Sequence, residues 1–85
     1  MSDLVMYTGK ECIHCRSMYP LIEKLEKEKK VKVEVKEVWH NSKNREEMMK
    51  YNKDKCTGVP FFYNKKNGKY ICGAVPYNQL VEWAK

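Results

Sequence analysis

The chain has 85 residues, of which 33% are charged and 42% are hydrophobic, and its formal net charge is +6. This length allows one domain with one modest core, and the composition is that of an ordinary globular protein. No apolar run approaches the roughly 20 residues that would span a membrane, and the N-terminus lacks the basic and apolar regions of a signal peptide. We therefore expect a single domain over residues 1–85, in the cytoplasm and without a membrane partner.

Positive charge is spread along the chain, which has 17 Lys and Arg residues against 11 Asp and Glu. Over residues 23–30, Lys and Glu interleave in a pattern typical of the solvated face of a helix. Solubility is the simpler interpretation of this charge, and nucleic-acid binding is the alternative. We predict no nucleic-acid partner, although a basic surface favours acidic partners or small anionic thiols.

The first predicted elements form a strand–helix–strand unit. Residues 4–7 are an unbroken apolar run, typical of a strand buried on both faces, and residues 8–11 form a turn. Apolar residues then recur at helical spacing and predict a helix over residues 13–29, which Pro20 should kink. Valines alternate with charged residues over residues 31–36 and indicate a second strand, parallel to the first.

A polar stretch separates this unit from a second predicted helix. Asn44, with Glu47 three residues later, has the spacing of a capping box, so we expect the helix to begin there. The apolar residues that follow Glu47 supply the buried face of this helix. Residues 52–58 are then predicted to form a loop.

The last third of the sequence predicts a hairpin and a helix. Residues 59–63 and 69–72 are apolar segments joined by a polar turn, with Gly68 where a left-handed residue is needed. A final helix is expected over residues 77–85. The element order is therefore β-α-β-α-β-β-α, which predicts an α/β fold with a four-stranded mixed sheet and helices on both faces.

The main chemical motif is a pair of cysteines, Cys12 and Cys15, placed between the first strand and the first helix. Unpaired backbone N–H groups and the positive end of the helix dipole favour thiolate over thiol at such a position. Cys15 lies one turn further into the helix and should be less exposed. This asymmetry predicts that Cys12 attacks a substrate disulfide and that Cys15 then releases the reduced product.

Two other interpretations of this pair remain open. A Cys-x-x-Cys sequence is by itself a weak motif, and it also occurs as half of a zinc site or as two unrelated core cysteines. The redox interpretation is favoured because the pair follows a strand and opens a helix within a βαβ unit.

Four segments together resemble the thioredoxin–glutaredoxin superfamily over essentially the whole chain. They are residues 7–15 (YTGKECIHC), Pro20, residues 45–50 (REEMMK) and residues 58–62 (GVPFF). The resemblance implies a thioredoxin-like fold and a dithiol oxidoreductase that carries electrons without a bound cofactor. It also implies a monomer whose partners are disulfide-containing proteins or small thiols. A reductase or glutathione would supply the electrons.

The resemblance also implies roles for individual residues near the dithiol. His14 resembles the histidine of oxidising family members and is expected to stabilise the reduced thiolate form; the alternative is an exposed histidine without effect. Pro60 is expected to follow a cis peptide bond, so that Val59 offers its backbone to an extended substrate. Lys10 and Gly73 complete the predicted substrate-binding residues.

Some positions depart from the glutaredoxin pattern. Gly9 stands where glutaredoxins usually carry a lysine that contacts glutathione, and Lys10 lies one residue closer to the dithiol. Pro76 stands near the last helix start, where it lacks a backbone N–H for the ligand. We therefore expect glutathione to be a poor partner.

One position departs from the thioredoxin pattern. Thioredoxins place a buried acid six residues before the first cysteine, and that residue is Met6 here. The proton of Cys15 must then be handled by another group, and Glu11 and His14 are the candidates that the sequence offers.

Cys56 and Cys72 form a second group of thiols in the sequence. We expect Cys72 to lie opposite Pro60 in the hairpin, so that both thiols approach the dithiol. They could be a second redox pair, or small residues that fill space. Alternatively, some or all of Cys12, Cys15, Cys56 and Cys72 could hold zinc or an iron–sulfur cluster, which would make the protein a binding module. A redox-inert adaptor with the same fold is a third possibility.

Overall fold

The computed structural model of the chain describes residues 3–53, 55–56 and 58–85. Within these ranges, no helix is both long enough and apolar enough to cross a membrane. The predicted element order is confirmed: β1 (Leu4–Thr8), α1 (Ile13–Lys29), β2 (Val33–Glu37), α2 (Ser42–Asn52), β3 (Phe61–Asn64), β4 (Tyr70–Cys72) and α3 (Tyr77–Ala84).

The four strands form one mixed sheet in the order β2-β1-β3-β4. β1 and β2 are parallel, whereas β3 is antiparallel to both β1 and β4. Because parallel strands end at the same edge of a sheet, the segments after β1 and after β2 emerge side by side. This edge positions the dithiol, since α1 begins directly after β1.

Each face of the sheet carries its own hydrophobic core, as the prediction of helices on both faces requires. Leu4 and Met6 point toward α1 and α3, whereas Val5 and Tyr7 point toward α2. Side chains alternate along a strand, so a central strand covered on both faces must be apolar at every position. The unbroken apolar run over residues 4–7 has this cause.

Some element boundaries differ from those predicted. β2 begins at Val33 rather than residue 31, because Lys30 ends α1 in a left-handed conformation and the next residues are needed to turn the chain. β3 begins at Phe61 rather than residue 59, because Pro60 has no N–H to donate to the sheet. The loop predicted over residues 52–58 contains residues 54 and 57, which lie outside the described residues.

The predicted capping box at the start of α2 is wrong. Asn41 caps this helix instead, with its side chain accepting the Asn44 N–H at 3.1 Å. The Asn44 side chain donates to the Glu37 carbonyl at 3.0 Å, which ties the first turn of α2 to β2. Glu47 lies beyond the first turn and points at the sheet, so it is not available for the helix end.

Glu47 instead links three elements through one partly buried carboxylate. It accepts the Tyr7 hydroxyl at 2.6 Å and the Lys36 ammonium at 2.8 Å. Burial opposes ionisation of Glu47, but the hydrogen bonds from Lys36 and Tyr7 outweigh it and hold the pKa below its usual value. Burial and the bond to Glu47 raise the pKa of Tyr7 far above its usual value.

We expect Glu47→Gln to lower the free energy of unfolding by about 1–2 kcal/mol, because the amide weakens two charge-assisted hydrogen bonds. Since the folded-state pKa of Glu47 is lowered, its contribution is present near neutral pH and is lost as the pH falls through that pKa. Urea unfolding at pH 7 and at pH 3 measures both effects. Glu46→Gln, at an exposed position of the same helix, is the matched control. Equal stability of the two variants at pH 7 would contradict the expectation.

The hairpin register differs by one residue from the prediction. Cys72 pairs with Phe61 rather than with Pro60. The Pro60 carbonyl accepts the Gly73 N–H at 2.8 Å, so the pairing continues one step beyond the strand. Gly68 has a φ of +79°, the left-handed conformation expected for the turn.

Candidate active site

Cys12 is the N-cap residue of α1. Its backbone is extended (φ −80°, ψ 113°) and its Sγ accepts the backbone N–H of Cys15 at 3.2 Å. The turn before it closes through the Cys12 N–H, which donates to the Gly9 carbonyl at 3.1 Å. Because the first turn of α1 has no acidic residue, no carboxylate there opposes a negative charge on the sulfur. Only 6% of Cys12 is exposed.

Cys15 lies behind Cys12 and has no exposed surface. Burial, followed by the interaction with Cys12, raises the pKa of the Cys15 thiol above its usual value. Hydrogen bonds with the Thr8 side chain and the Gly9 backbone oppose this rise without cancelling it. Cys15 is therefore held as a thiol near neutral pH and must lose its proton before it can act as a nucleophile.

A pair of hydroxyl groups lies next to Cys15, and sequence reasoning missed it. The buried Thr8 hydroxyl and the Tyr19 hydroxyl are 2.8 Å apart, and Thr8 hydrogen-bonds Cys15. The Glu11 carboxylate, a sequence candidate for handling the Cys15 proton, is instead turned to the surface, where it contacts His40 at 2.8 Å. The signal for Thr8 was its place as the last residue of a buried strand, directly before the turn to the dithiol.

The predicted substrate-binding backbone lies against the dithiol. The Cys12 thiol points at the Val59 carbonyl, with an S···O distance of 3.9 Å, and the Val59–Pro60 peptide bond is cis. The Pro60 carbonyl accepts the Gly73 N–H, and Gly73 has a φ of +83° that favours glycine. We call Val59, Pro60 and Gly73 the ledge. The structure brings the ledge and Cys12 together.

His14 and Lys10 lie at the margin of this site. The His14 side chain is exposed in the first turn of α1, where its carbonyl accepts the Ser17 hydroxyl at 2.7 Å. Lys10 is exposed in the turn before the helix, and its backbone N–H donates to Glu37 at 2.9 Å. Both side chains are thus on the surface around the dithiol rather than beneath it.

The segment after β2 forms one side of the site, and sequence reasoning missed this too. Glu37 accepts the backbone N–H groups of Lys10, Trp39 and His40, which outweigh its desolvation and keep its pKa below the usual value. The Trp39 ring lies directly over Gly9, where an added Cβ would overlap it. The parallel pairing of β1 and β2 was the available signal, because it places both following segments at one edge.

His40 and Glu11 form a surface pair at the mouth of the site. The hydrogen bond to Glu11 raises the pKa of His40, and the same bond lowers the pKa of Glu11. Because Glu11 immediately precedes Cys12, this pairing places a partly neutralised carboxylate beside Cys12. Both side chains are more than half exposed, so their influence on the sulfur is screened by water and salt.

Cys56 and Cys72 form a disulfide with a Cα–Cα distance of 5.4 Å. The interpretation of two separate space-filling residues is therefore wrong, and Cys12 and Cys15 are the free cysteines. With two sulfurs bonded to each other, the four thiolates of the metal-site alternative are not assembled. Among the described residues, no group of three or more His, Cys, Asp or Glu has the arrangement of a metal site.

Comparison with known proteins assigns a family to this arrangement. The sequence model of the Thioredoxin family matches residues 2–85 of the chain. The match covers the dithiol, the ledge and both cysteines of the disulfide. No curated protein matches the chain.

Proposed function

Because the chain belongs to the thioredoxin family, whose members are typically thiol–disulfide oxidoreductases, we propose that it is a cytoplasmic, monomeric electron carrier that reduces disulfides with Cys12 and Cys15. The observation that carries this proposal is the geometry of the dithiol. Cys12 caps a helix and accepts an N–H from it, while Cys15 is buried directly behind. This arrangement suits one attacking and one resolving sulfur.

The reaction consists of two exchanges between sulfur atoms. The Cys12 thiolate attacks one sulfur of the substrate disulfide, an S–S bond to Cys12 forms, and the other substrate sulfur leaves as a thiolate that takes up a proton. Cys15 then loses its proton and attacks the Cys12 sulfur, which releases the second substrate thiol. Two electrons have passed to the substrate, and a Cys12–Cys15 disulfide remains until an external dithiol reduces it.

The surroundings of the dithiol favour an extended polypeptide as the substrate. The ledge offers backbone groups next to Cys12, and backbone pairing tolerates many side-chain sequences. We assign His14 a supporting role at the mouth of the helix, in the first turn that Cys12 caps. Lys10 and the net charge of +6 favour acidic segments near the substrate disulfide.

Reduction of a disulfide-linked polypeptide, such as insulin, by the protein with dithiothreitol as donor tests the proposal. We expect catalytic turnover well above the rate with dithiothreitol alone. The control is the variant Cys12→Ser with Cys15→Ser. Turnover no faster than this control would reject the proposal in favour of a redox-inert adaptor.

We expect the release of product by Cys15 to accelerate with pH. Because the pKa of Cys15 is raised, only a small fraction is thiolate at pH 7, and that fraction grows about tenfold per pH unit below the pKa. Stopped-flow decay of a preformed mixed disulfide between Cys12 and a chromogenic thiol, measured from pH 6 to pH 9, checks this. Thr8→Val removes the nearby hydroxyl and should shift the profile to higher pH. A rate independent of pH would contradict a protonated Cys15.

A further inference from the structure

The Cys56–Cys72 disulfide joins two segments that meet at the ledge. Cys72 lies at the end of the edge strand β4, immediately before Gly73, whose N–H donates to the Pro60 carbonyl. Cys56 precedes the ledge on the other side, at the end of the loop from α2. The disulfide and the hydrogen bond from Gly73 to Pro60 therefore close a ring that includes the ledge. The Val59 carbonyl of this ledge lies next to the Cys12 sulfur.

Cys56 is also fixed from the side of α2. The buried Asn52 side chain accepts the Cys56 N–H at 2.7 Å and donates to the Cys56 carbonyl at 3.0 Å. This pair of bonds holds the Cys56 backbone whether or not its sulfur is bonded. The disulfide is then the connection that ties this fixed point to β4.

The two sulfurs differ in their access to solvent. Cys72 is exposed on the edge strand, with its Sγ 3.7 Å from the Lys55 carbonyl, whereas Cys56 is partly covered by the α2 core. Among the described residues β4 is the outermost strand of the sheet, so none of their strands shields Cys72 from a thiol in solution. An exposed disulfide is open to exchange, in contrast to one buried in a core.

We propose that Cys56–Cys72 is a second thiol–disulfide exchange site, reduced by external dithiols, and that its redox state sets the position of the ledge. This inference rests on the proposed function only for its effect on turnover. In the oxidised form the ring is closed and the ledge covers Cys12. In the reduced form the Gly73 hydrogen bond alone ties the ledge to β4, and it opens more often than in the oxidised form.

The exchange is balanced by one external dithiol. A thiolate of the dithiol attacks the Cys72 sulfur, an S–S bond forms between them, and Cys56 leaves as a thiolate that takes up a proton. The second thiolate of the external dithiol then attacks the sulfur that the dithiol contributes to the mixed disulfide. Cys72 leaves as a thiolate that takes up a proton. The protein gains two thiols, and the dithiol becomes a disulfide. Asn52 holds Cys56 in place for re-oxidation.

Opening the ring has opposite effects on two properties of the site. Cys12 is only 6% exposed and points at the Val59 carbonyl, so withdrawal of the ledge uncovers its sulfur. Alkylation of Cys12 should therefore become faster. Reduction of an extended polypeptide should become slower, because the backbone that positions it is less ordered.

The first measurement uses Cys15→Ser, in which Cys12 cannot form a disulfide within the dithiol. The redox state of Cys56–Cys72 can therefore be changed without oxidising Cys12 in the dithiol. Iodoacetamide labelling of Cys12 is followed by mass spectrometry with the second pair oxidised, or reduced by dithiothreitol that is removed before labelling. We expect reduction to accelerate labelling by about threefold or more. Cys15→Ser with Cys56→Ser and Cys72→Ser should label at the faster rate under both conditions. Equal rates in all forms would overturn the proposal.

A second measurement needs no substitution at the disulfide. In the wild-type protein, the Gly73 amide should exchange its hydrogen about tenfold faster after reduction of Cys56–Cys72. The Val38 amide, which donates to the Thr8 carbonyl at 2.8 Å on the far side of the sheet, is the control and should not change. Equal acceleration of both amides would indicate general destabilisation and overturn a local effect on the ledge.

Turnover separates this proposal from the proposed function. In single turnovers without an external dithiol, in which the Cys56–Cys72 pair of the wild type stays oxidised, Cys56→Ser with Cys72→Ser should lower kcat/KM on a polypeptide disulfide by about three- to tenfold while circular dichroism shows a folded protein. Unchanged kcat/KM together with unchanged labelling of Cys12 would reject the second site alone. Absence of turnover in the wild-type protein would reject the proposed function, and the labelling and amide exchange would still decide on the second site. A Cys56–Cys72 pair that dithiothreitol reduces only in denaturant would also overturn the proposal.

Discussion

Replacing Cys12 with serine should abolish disulfide reduction, with a loss of roughly a thousandfold or more in kcat/KM. The hydroxyl is a far weaker nucleophile at neutral pH, and Cys15 cannot take the place of Cys12 because it is fully buried. The fold should be unaffected, since serine is also a good N-cap residue and can accept the Cys15 N–H. Turnover of a polypeptide disulfide and circular dichroism measure the two effects.

Cys15→Ser is the matched control for this prediction. It keeps the nucleophile but removes the resolving thiol, so the mixed disulfide between Cys12 and the substrate should accumulate. Non-reducing electrophoresis and peptide mapping identify the trapped species. A trapped substrate on Cys56 or Cys72 would show that the nucleophile has been misassigned.

Glutathione should be a poor electron donor compared with a dithiol. The Trp39 ring covers Gly9, and the nearby Glu37 carboxylate is ionised and takes the Lys10 backbone N–H. At the start of α3, Pro76 provides no N–H and the first turn has no acidic residue. Charge-assisted contacts contribute about 1.5–3 kcal/mol each, so the loss of two corresponds to roughly 10²–10⁴-fold weaker binding.

Steady-state rates with glutathione and with dithiothreitol, on the same small disulfide, measure this difference. Gly9→Lys combined with Trp39→Ala restores a lysine and removes the ring that occupies its place, so this variant should gain glutathione-dependent turnover. Trp39→Ala alone is the control for the loss of the ring. Efficient and saturable turnover of the unmodified protein with glutathione would contradict the prediction and identify it as a true glutaredoxin.

The sequence predicts elements well where the signal is local. The apolar spacing over residues 13–29 matches α1 because both the periodicity and the buried face belong to one segment. The two possible caps of α2 show the limit. Asn41 and Asn44 are the same residue type, and the spacing to Glu47 favoured Asn44. Glu47 instead accepts the hydroxyl of Tyr7, which is 40 residues away in the sequence. It therefore cannot complete a capping box with Asn44, and Asn41 caps the helix.

Local reasoning could not establish the Cys56–Cys72 disulfide, for a similar reason. Its formation depends on where the loop after α2 brings Cys56 relative to Cys72, and the predicted register of the hairpin was wrong by one position. A shift of one residue reverses the face on which a side chain lies, so small errors in register change which thiols meet. The sequence offered Cys56 and Cys72 as a second redox pair among several alternatives but could not decide between them. The dithiol was easier to interpret because both of its cysteines lie within one helical turn.

The placement of the two tryptophans separates the optical signals of this small protein. Trp39 is 51% exposed and lies over Gly9, whose carbonyl accepts the Cys12 N–H, so its emission originates next to the turn that carries Cys12. Trp83 is 2% exposed and packs edge-on against Phe62 at 5.5 Å in the core. Iodide in solution reaches the first indole and not the second. Iodide quenching therefore resolves the fluorescence spectrum into two components. One comes from Trp39 near the dithiol, and the other comes from Trp83 in the core.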